Sequence, residues 1–224
     1  MATYKLNVAR IRGLPQPEAI GEALAEFGLP DTEEFGVLNH SVTPQAVAGQ
    51  IVRKTTQAVQ KLDAEHRDVT AEAVEKVTVF PFSVWPAQER MEIYAGSAST
   101  IEHVGAFFSV HLAFATVTEP IEVDIVSAIE SLMANTNKFQ FRSARVSDYS
   151  ANSFMSGPYT PKFMDTQHGL DFLEKYAAGV TTAAVKFAAN ARPATATLTP
   201  QAAFSYSCKE EDQVEVQTVL RGLL

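Results

Sequence analysis

The chain has 224 residues, 46% of them apolar and 20% charged, and a formal net charge of −8; it is too apolar for a wholly disordered chain and too acidic to coat DNA over its entire surface. Its single cysteine, Cys208, excludes an intramolecular disulfide and any zinc site built on two or more cysteines of one chain. No apolar run reaches the roughly 18 residues of a membrane span, and the start enters an alternating pattern in place of a signal peptide, so a cytoplasmic protein with no membrane contact is expected.

Tyr4, Leu6 and Val8 alternate with Lys5, Asn7 and Ala9, which predicts a half-buried strand over 4–11. Ile20, Leu24 and Phe27 predict a short helix from Pro17 to Phe27, closed by Gly28. Gly36 to Leu38 reads as a short strand. Thr43-Pro44 resembles an N-cap followed by proline at the first helical position, opening a helix to about His66 with Val52, Thr55, Val59 and Leu62 as its inner stripe. A second helical stretch is expected over Asp68 to Glu75. Val77 to Val84 is an apolar strand in which Pro81 predicts an edge or a bulge, and Arg90 to Ala95 returns as a strand. Ile101, Val104, Phe108 and Leu112 then mark a helix.

Phe114 to Val117 and Glu119 to Ile125 read as extended, Ile125 to Ala134 as helix, and Lys138 to Val146 as strand. Residues 147–161, rich in Ser, Asn, Gly and Pro, read as a loop. Asp165 or Thr166 caps a helix to Ala178, and Val180 to Phe187 alternates as a strand. Ala194 to Thr199, Ala203 to Cys208 and Val214 to Leu220 are read as three final strands. Consecutive strands joined by short turns pair antiparallel, because a parallel crossover needs about a dozen residues or more. The expected class is therefore α+β, with antiparallel sheets and strand–strand–helix units on one or two layers. A division into 1–137 and 138–224, or one continuous domain, fits the length.

Charge is uneven along the chain. Residues 1–137 hold 9 Lys/Arg against 18 Asp/Glu, whereas residues 138–192 hold 7 against 4. Lys138 and Arg142 share one strand face while Phe139 and Phe141 take the other, so the strand offers a basic side to phosphates and an apolar side to a core. With Arg145 and Lys162, and with Arg53, Lys54 and Lys61 off the stripe of the expected helix, these are the candidate nucleic-acid-binding residues. Phe80, Phe82, Trp85, Tyr94, Phe107 and Phe108 read as core, with base stacking as the alternative.

Catalytic patterns are missing. No glycine falls in GxGxxG or GxxxxGK[ST], and neither HExxH nor GxSxG occurs. His103 and His111 lie eight apart and share no metal-binding helix face, so neither metal nor cofactor is expected. His168 sits between Asp165 and Asp171 at a helix start, which fits a capped first turn or, as a hydrolase reading, a general base with a carboxylate beside it. Cys208 has no local His to activate it.

The order of elements resembles the bacterial recombination-associated RdgC family. The parallel begins with the opening strand and helix from Tyr4 to Phe27. It continues with Gly49-Gln50-Ile51-Val52 before a charged stretch ending in Lys61-Leu62-Asp63-Ala64-Glu65, with Asp68-Val69-Thr70, and with the strand pair and helix of 77–112. Asp165-Thr166-Gln167, Ala178-Gly179 and the strand after them are similar to a later segment of that family. The chain departs from the family in its shorter length and in helix-like sequence after Val52. The resemblance implies a non-enzymatic, ring-forming homodimer that binds DNA without sequence preference and restrains recombination. Read from the residues alone, the uncharged apolar strand 77–84 leaves an alternative: a structural or interaction module, of phage or mobile-element type, that self-assembles through sheet edges.

Overall fold

The computed structural model describes residues 2–28, 34–63, 68–152 and 155–224. The fold is α+β, with five helices and eleven strands among the described residues, and the strand pairings are antiparallel. Its two compact units interleave in sequence. One comprises Met1–Arg10, Gly96–Ser99 and Glu119–Leu224, and the other Ile11–Ala95 and Thr100–Thr118. All of 138–224 lies in the first unit.

The first unit is a layer of strands under helices. Its strand order is β1 (Ala2–Arg12), β11 (Ala203–Cys208), β10 (Arg192–Leu198), β9 (Val180–Ala189), β7 (Asn137–Asn152) and β8 (Met155–Tyr159). Strict alternation buries one face: Phe204, Tyr206 and Cys208 on β11, Ala194, Ala196 and Leu198 on β10, Ala183, Val185 and Phe187 on β9. Helix α3 (Ile125–Asn135) packs on β7 and β9, α4 (Thr166–Tyr176) on β7, and α5 (Gln213–Arg221) on β11. Gly169 lets α4 approach, since a Cβ there would lie 2.4 Å from the Phe141 ring. Tyr206 is buried with its hydroxyl accepting from Gln217 Nε2 at 2.7 Å, which satisfies the polar tip inside the core. A two-residue turn at Asn190-Ala191, both with positive φ (48° and 64°), joins β9 to β10 as a type I′ hairpin does.

The second unit contains α1 (Pro17–Glu26), β2 (Phe35–Val42), β3 (Val47–Asp63), β4 (Asp68–Trp85), β5 (Arg90–Ile93) and most of α2 (Ser99–Ala106), which runs on into a π-helical turn over Phe107–His111. The remaining strand, β6 (Val117–Pro120), divides between the units. Phe80, Phe82, Phe107 and Phe108 are buried, and Phe82 meets Phe108 edge-on at 5.5 Å. Trp85 and Tyr94 are half-buried, with the Arg90 guanidinium 4.3 Å from the Trp85 ring. The aromatic set is thus mainly core.

Several expected elements are overturned. The helix expected from 44 to about His66 is strand β3, and the helix expected over 68–75 is the first half of β4; His66 itself lies outside the described residues. The two strands carry Val and Thr throughout, whose branched Cβ atoms favour extended backbone. The stripe spaced 3, 4 and 3 divides between two faces in a strand: Val52 and Leu62 on one, Thr55 and Val59 on the other. Thr43 closes a hairpin turn rather than capping a helix, with its hydroxyl donating to the Ala46 carbonyl and accepting from the Ala46 amide, both at 3.0 Å. Residues 147–161 are largely strand, since β7 runs to Asn152 and β8 follows. The stretch 214–220 is helix α5, because Val216 and Leu220 bury at helical spacing. Pro81 lies inside β4, which is flanked by β3 and β5; its carbonyl accepts from the Tyr94 amide on the β5 side. The missing N–H of Pro81 faces that same side, where β5 ends.

Candidate nucleic-acid interface

The same alternation that builds the first unit's core turns a second row of residues outward. The registers align Lys5 with Ser205, Ser205 with Thr197, Thr197 with Ala184, and Ala184 with Ser143. A neighbouring row runs Thr3, Ser207, Thr195, Lys186, Gln140 by the same pairings. Five strands at about 4.8 Å spacing make this face ~19 Å wide. The side chains of the two rows are hydroxyls, one alanine, the Gln140 amide and cations. None of the residues that β1, β11, β10, β9 and residues 137–146 of β7 contribute to this face is an Asp or Glu.

Three of the seven predicted residues and two others define the charge of this face. Lys138 has φ 53° and is part of an irregularity between Asn137 and Gln140; with Gln140, Lys186 and Pro193 it lines a depression of about 270 Å³. Arg142 is the extra residue of a bulge between Phe141 and Ser143, and its Nη1 donates to Gln140 Oε1 at 3.4 Å, which draws it onto the same side. The bulge also resets the alternation, so that Phe141 and Ala144 are both buried and Arg145, opposite Thr182, faces outward. Lys5 joins Asn7, Ser97, Thr197 and Ser205 around a second depression of about 270 Å³. None of Lys5, Lys138, Arg142, Arg145 and Lys186 is paired with a carboxylate among the described residues. Lys162 stands at the edge of β7, bridged to Ser143.

The other three predicted residues belong to the second unit, on β3, and each meets a carboxylate. Arg53 pairs with Glu34 and lies over the Phe35 ring, Lys54 Nζ is 2.9 Å from Glu75, and Lys61 Nζ is 3.6 Å from Glu72. Cross-strand pairs of this kind neutralise cations that would otherwise attract phosphate.

Lys5 and Lys186 were missed by sequence reasoning, which followed the basic segment in sequence rather than the faces of strands. The signal existed: Lys5 occupies the polar phase of β1 and Lys186 that of β9.

The titratable candidates serve the fold. Asp165 caps α4, its Oδ1 accepting from the His168 amide at 3.0 Å and its Oδ2 lying 2.5 Å from His168 Nδ1. The amide and ring bonds from His168 hold the Asp165 carboxyl below its ordinary range, and the bond to Asp165 raises the imidazole. Asp171 accepts from Gln167 at 2.9 Å. Cys208 is buried on the core side of β11, and burial pushes its thiol up, away from the reactive thiolate. Among the described residues, no group of three or more His, Cys, Asp or Glu is placed to hold a metal ion. No described helix is long and apolar enough to cross a membrane. In comparisons with known proteins, no family model matches this chain and no curated protein matches it significantly.

Proposed function

We propose that this chain is a non-enzymatic, sequence-independent DNA-binding protein that grips the duplex backbone through the outward face of its first unit. The observation that carries this reading is a hydroxyl-rich face with five cations and no carboxylate, on a chain whose net charge is −8. Lysine, arginine and hydroxyl donors bind phosphate oxygens without reading bases. No Phe, Tyr or Trp points outward from the aligned rows, so stacking on unpaired bases has no platform there. The element order resembling the recombination-associated RdgC family points the same way. Compared with the sequence-based set, the proposed contacts are Lys5, Lys138, Arg142, Arg145 and Lys186, with Lys162 at the rim.

Fluorescence anisotropy on a labelled duplex of arbitrary sequence at low salt tests the reading. Binding at micromolar protein, lost in the Arg145→Glu/Lys186→Glu variant, is the expected result. Absence of binding by the unaltered chain removes the proposal.

A further inference from the structure

On the outward face of the first unit, two lysines converge on a single depression. Lys138 and Gln140 of β7 and Lys186 of β9 line it, with Gln140 directly opposite Lys186 in the register, and Ala188, Ala191 and Pro193 form the remaining wall. Gln140, Lys186, Ala188 and Pro193 all occupy the outward phase of their strands, since Phe141, Phe187, Ala189 and Ala194 are buried. Lys138 enters from a left-handed backbone, φ 53°, inside the irregularity between Asn137 and Gln140. That conformation costs a residue with a Cβ about 1 kcal/mol or more, and strain of this kind clusters at ligand sites. Arg142 joins the group through Nη1, which donates to Gln140 Oε1 at 3.4 Å. Neither lysine is paired with a carboxylate among the described residues. Glu211 and Asp212 are engaged instead by Arg192, in the core-side phase of β10.

We propose that this depression binds the phosphomonoester of a mononucleotide, with Lys138 and Lys186 on the phosphate. The proposal rests on the reading of this face as a phosphate-binding surface and gives one part of it a ligand of its own. Charge selects the group. A phosphomonoester carries about −1.5 to −2 near pH 7, which two ammonium groups balance, whereas each diester of a duplex backbone carries a single charge. Gln140 adds an amide donor, because its oxygen is taken by Arg142. Size selects the rest of the ligand. The depression holds about 270 Å³, just under the ~300 Å³ at which pockets for drug-sized molecules begin, so a sugar and base fit beside the phosphate and a large cofactor does not. Ala188, Ala191 and Pro193 offer that remainder an apolar wall without side-chain donors or acceptors, so the identity of the base is not read there. A free nucleotide and the 5′ end of a DNA strand carry the same group.

Isothermal titration calorimetry of the full chain at low salt tests this, with deoxyadenosine 5′-monophosphate as the probe and deoxyadenosine as the phosphate-free control. The nucleotide is expected to bind with a submillimolar Kd and the nucleoside not to bind. Lys138→Ala/Lys186→Ala should weaken the nucleotide by about 10-fold or more, and Lys61→Ala should leave it unchanged. Far-UV circular dichroism confirms that both variants are folded. Duplex anisotropy then separates the two sources of the group. A duplex with 5′ phosphates that binds more tightly than the same duplex with 5′ hydroxyls, by a margin lost in Lys138→Ala/Lys186→Ala, assigns the strand end. Equal binding of the two duplexes, with the nucleotide competing, assigns the free nucleotide. No nucleotide binding, equal binding of nucleotide and nucleoside, or a nucleotide affinity indifferent to Lys138→Ala/Lys186→Ala overturns the proposal. In that event, binding of the 5′-hydroxyl duplex leaves the nucleic-acid reading standing, whereas nucleotide binding without duplex binding removes that reading alone.

Discussion

Two β surfaces of this molecule use the same chain geometry for opposite chemistry. The outward face of the first unit sets cations among hydroxyls, none of the five paired with a carboxylate among the described residues. The β3–β4 hairpin sets Lys54 and Lys61 beside acids and leaves aliphatic side chains exposed. Both contain lysines in alternating strands, so the count of basic residues does not distinguish them. What distinguishes them is the cross-strand neighbour: Ser205 opposite Lys5, Thr195 opposite Lys186, but Glu72 near Lys61 and Glu75 near Lys54. A lysine opposite a hydroxyl keeps its field for a ligand, and a lysine beside a carboxylate has already spent it.

The largest expected effect separates the two faces of the first unit's sheet. Phe204→Ala, on the core side, should cost about 3–5 kcal/mol in chemical denaturation, whereas Ser205→Ala, its outward neighbour, should stay within about 0.5 kcal/mol. Equal losses at both positions would break the distinction between a core face and an outward face. Within the core, Tyr206→Phe leaves Gln217 Nε2 without its acceptor and should cost about 1 kcal/mol, read by the same denaturation. A gain is expected at the β9–β10 turn. Ala191 has φ 64°, which strains a residue with a Cβ, so Ala191→Gly should raise stability by about 0.5–1 kcal/mol by thermal melting. The smallest effect is electrostatic. His168 is raised by Asp165, so its contribution is complete below the unfolded imidazole value and fades as pH climbs through the folded one; the Asp165 contribution fades as pH falls through its lowered value. NMR titration should place the His168 imidazole above about 6.5 and return it to the ordinary value in Asp165→Asn.

Much of the first unit was legible in the sequence, because its strands alternate cleanly and its turns carry Asn, Gly and Pro. Lys138, Arg142 and Arg145 were found together for that reason, although the bulge that turns Arg145 outward has no marker in the residues. The second unit misled, and in one direction. Val52, Thr55, Val59 and Leu62 satisfy a helical period by coincidence, and the Val- and Thr-rich composition of the same stretch was the better guide. Once read as helix, Lys54 and Lys61 had no visible acidic partners, since Glu75 and Glu72 become neighbours only across the antiparallel ladder. At the end of the chain, the Val214 and Val216 alternation concealed a helix whose buried stripe is Val216 and Leu220.

The salt dependence of duplex binding tests the central claim most directly, because it counts the phosphates neutralised. With five cations on the face, the slope of log affinity against log salt should lie near −4.5, and each of Lys5→Ala, Lys138→Ala, Arg142→Ala, Arg145→Ala and Lys186→Ala should reduce it by about 0.9. Lys54→Ala and Lys61→Ala should leave it unchanged. A slope insensitive to the five and reduced by the two β3 lysines would contradict the account.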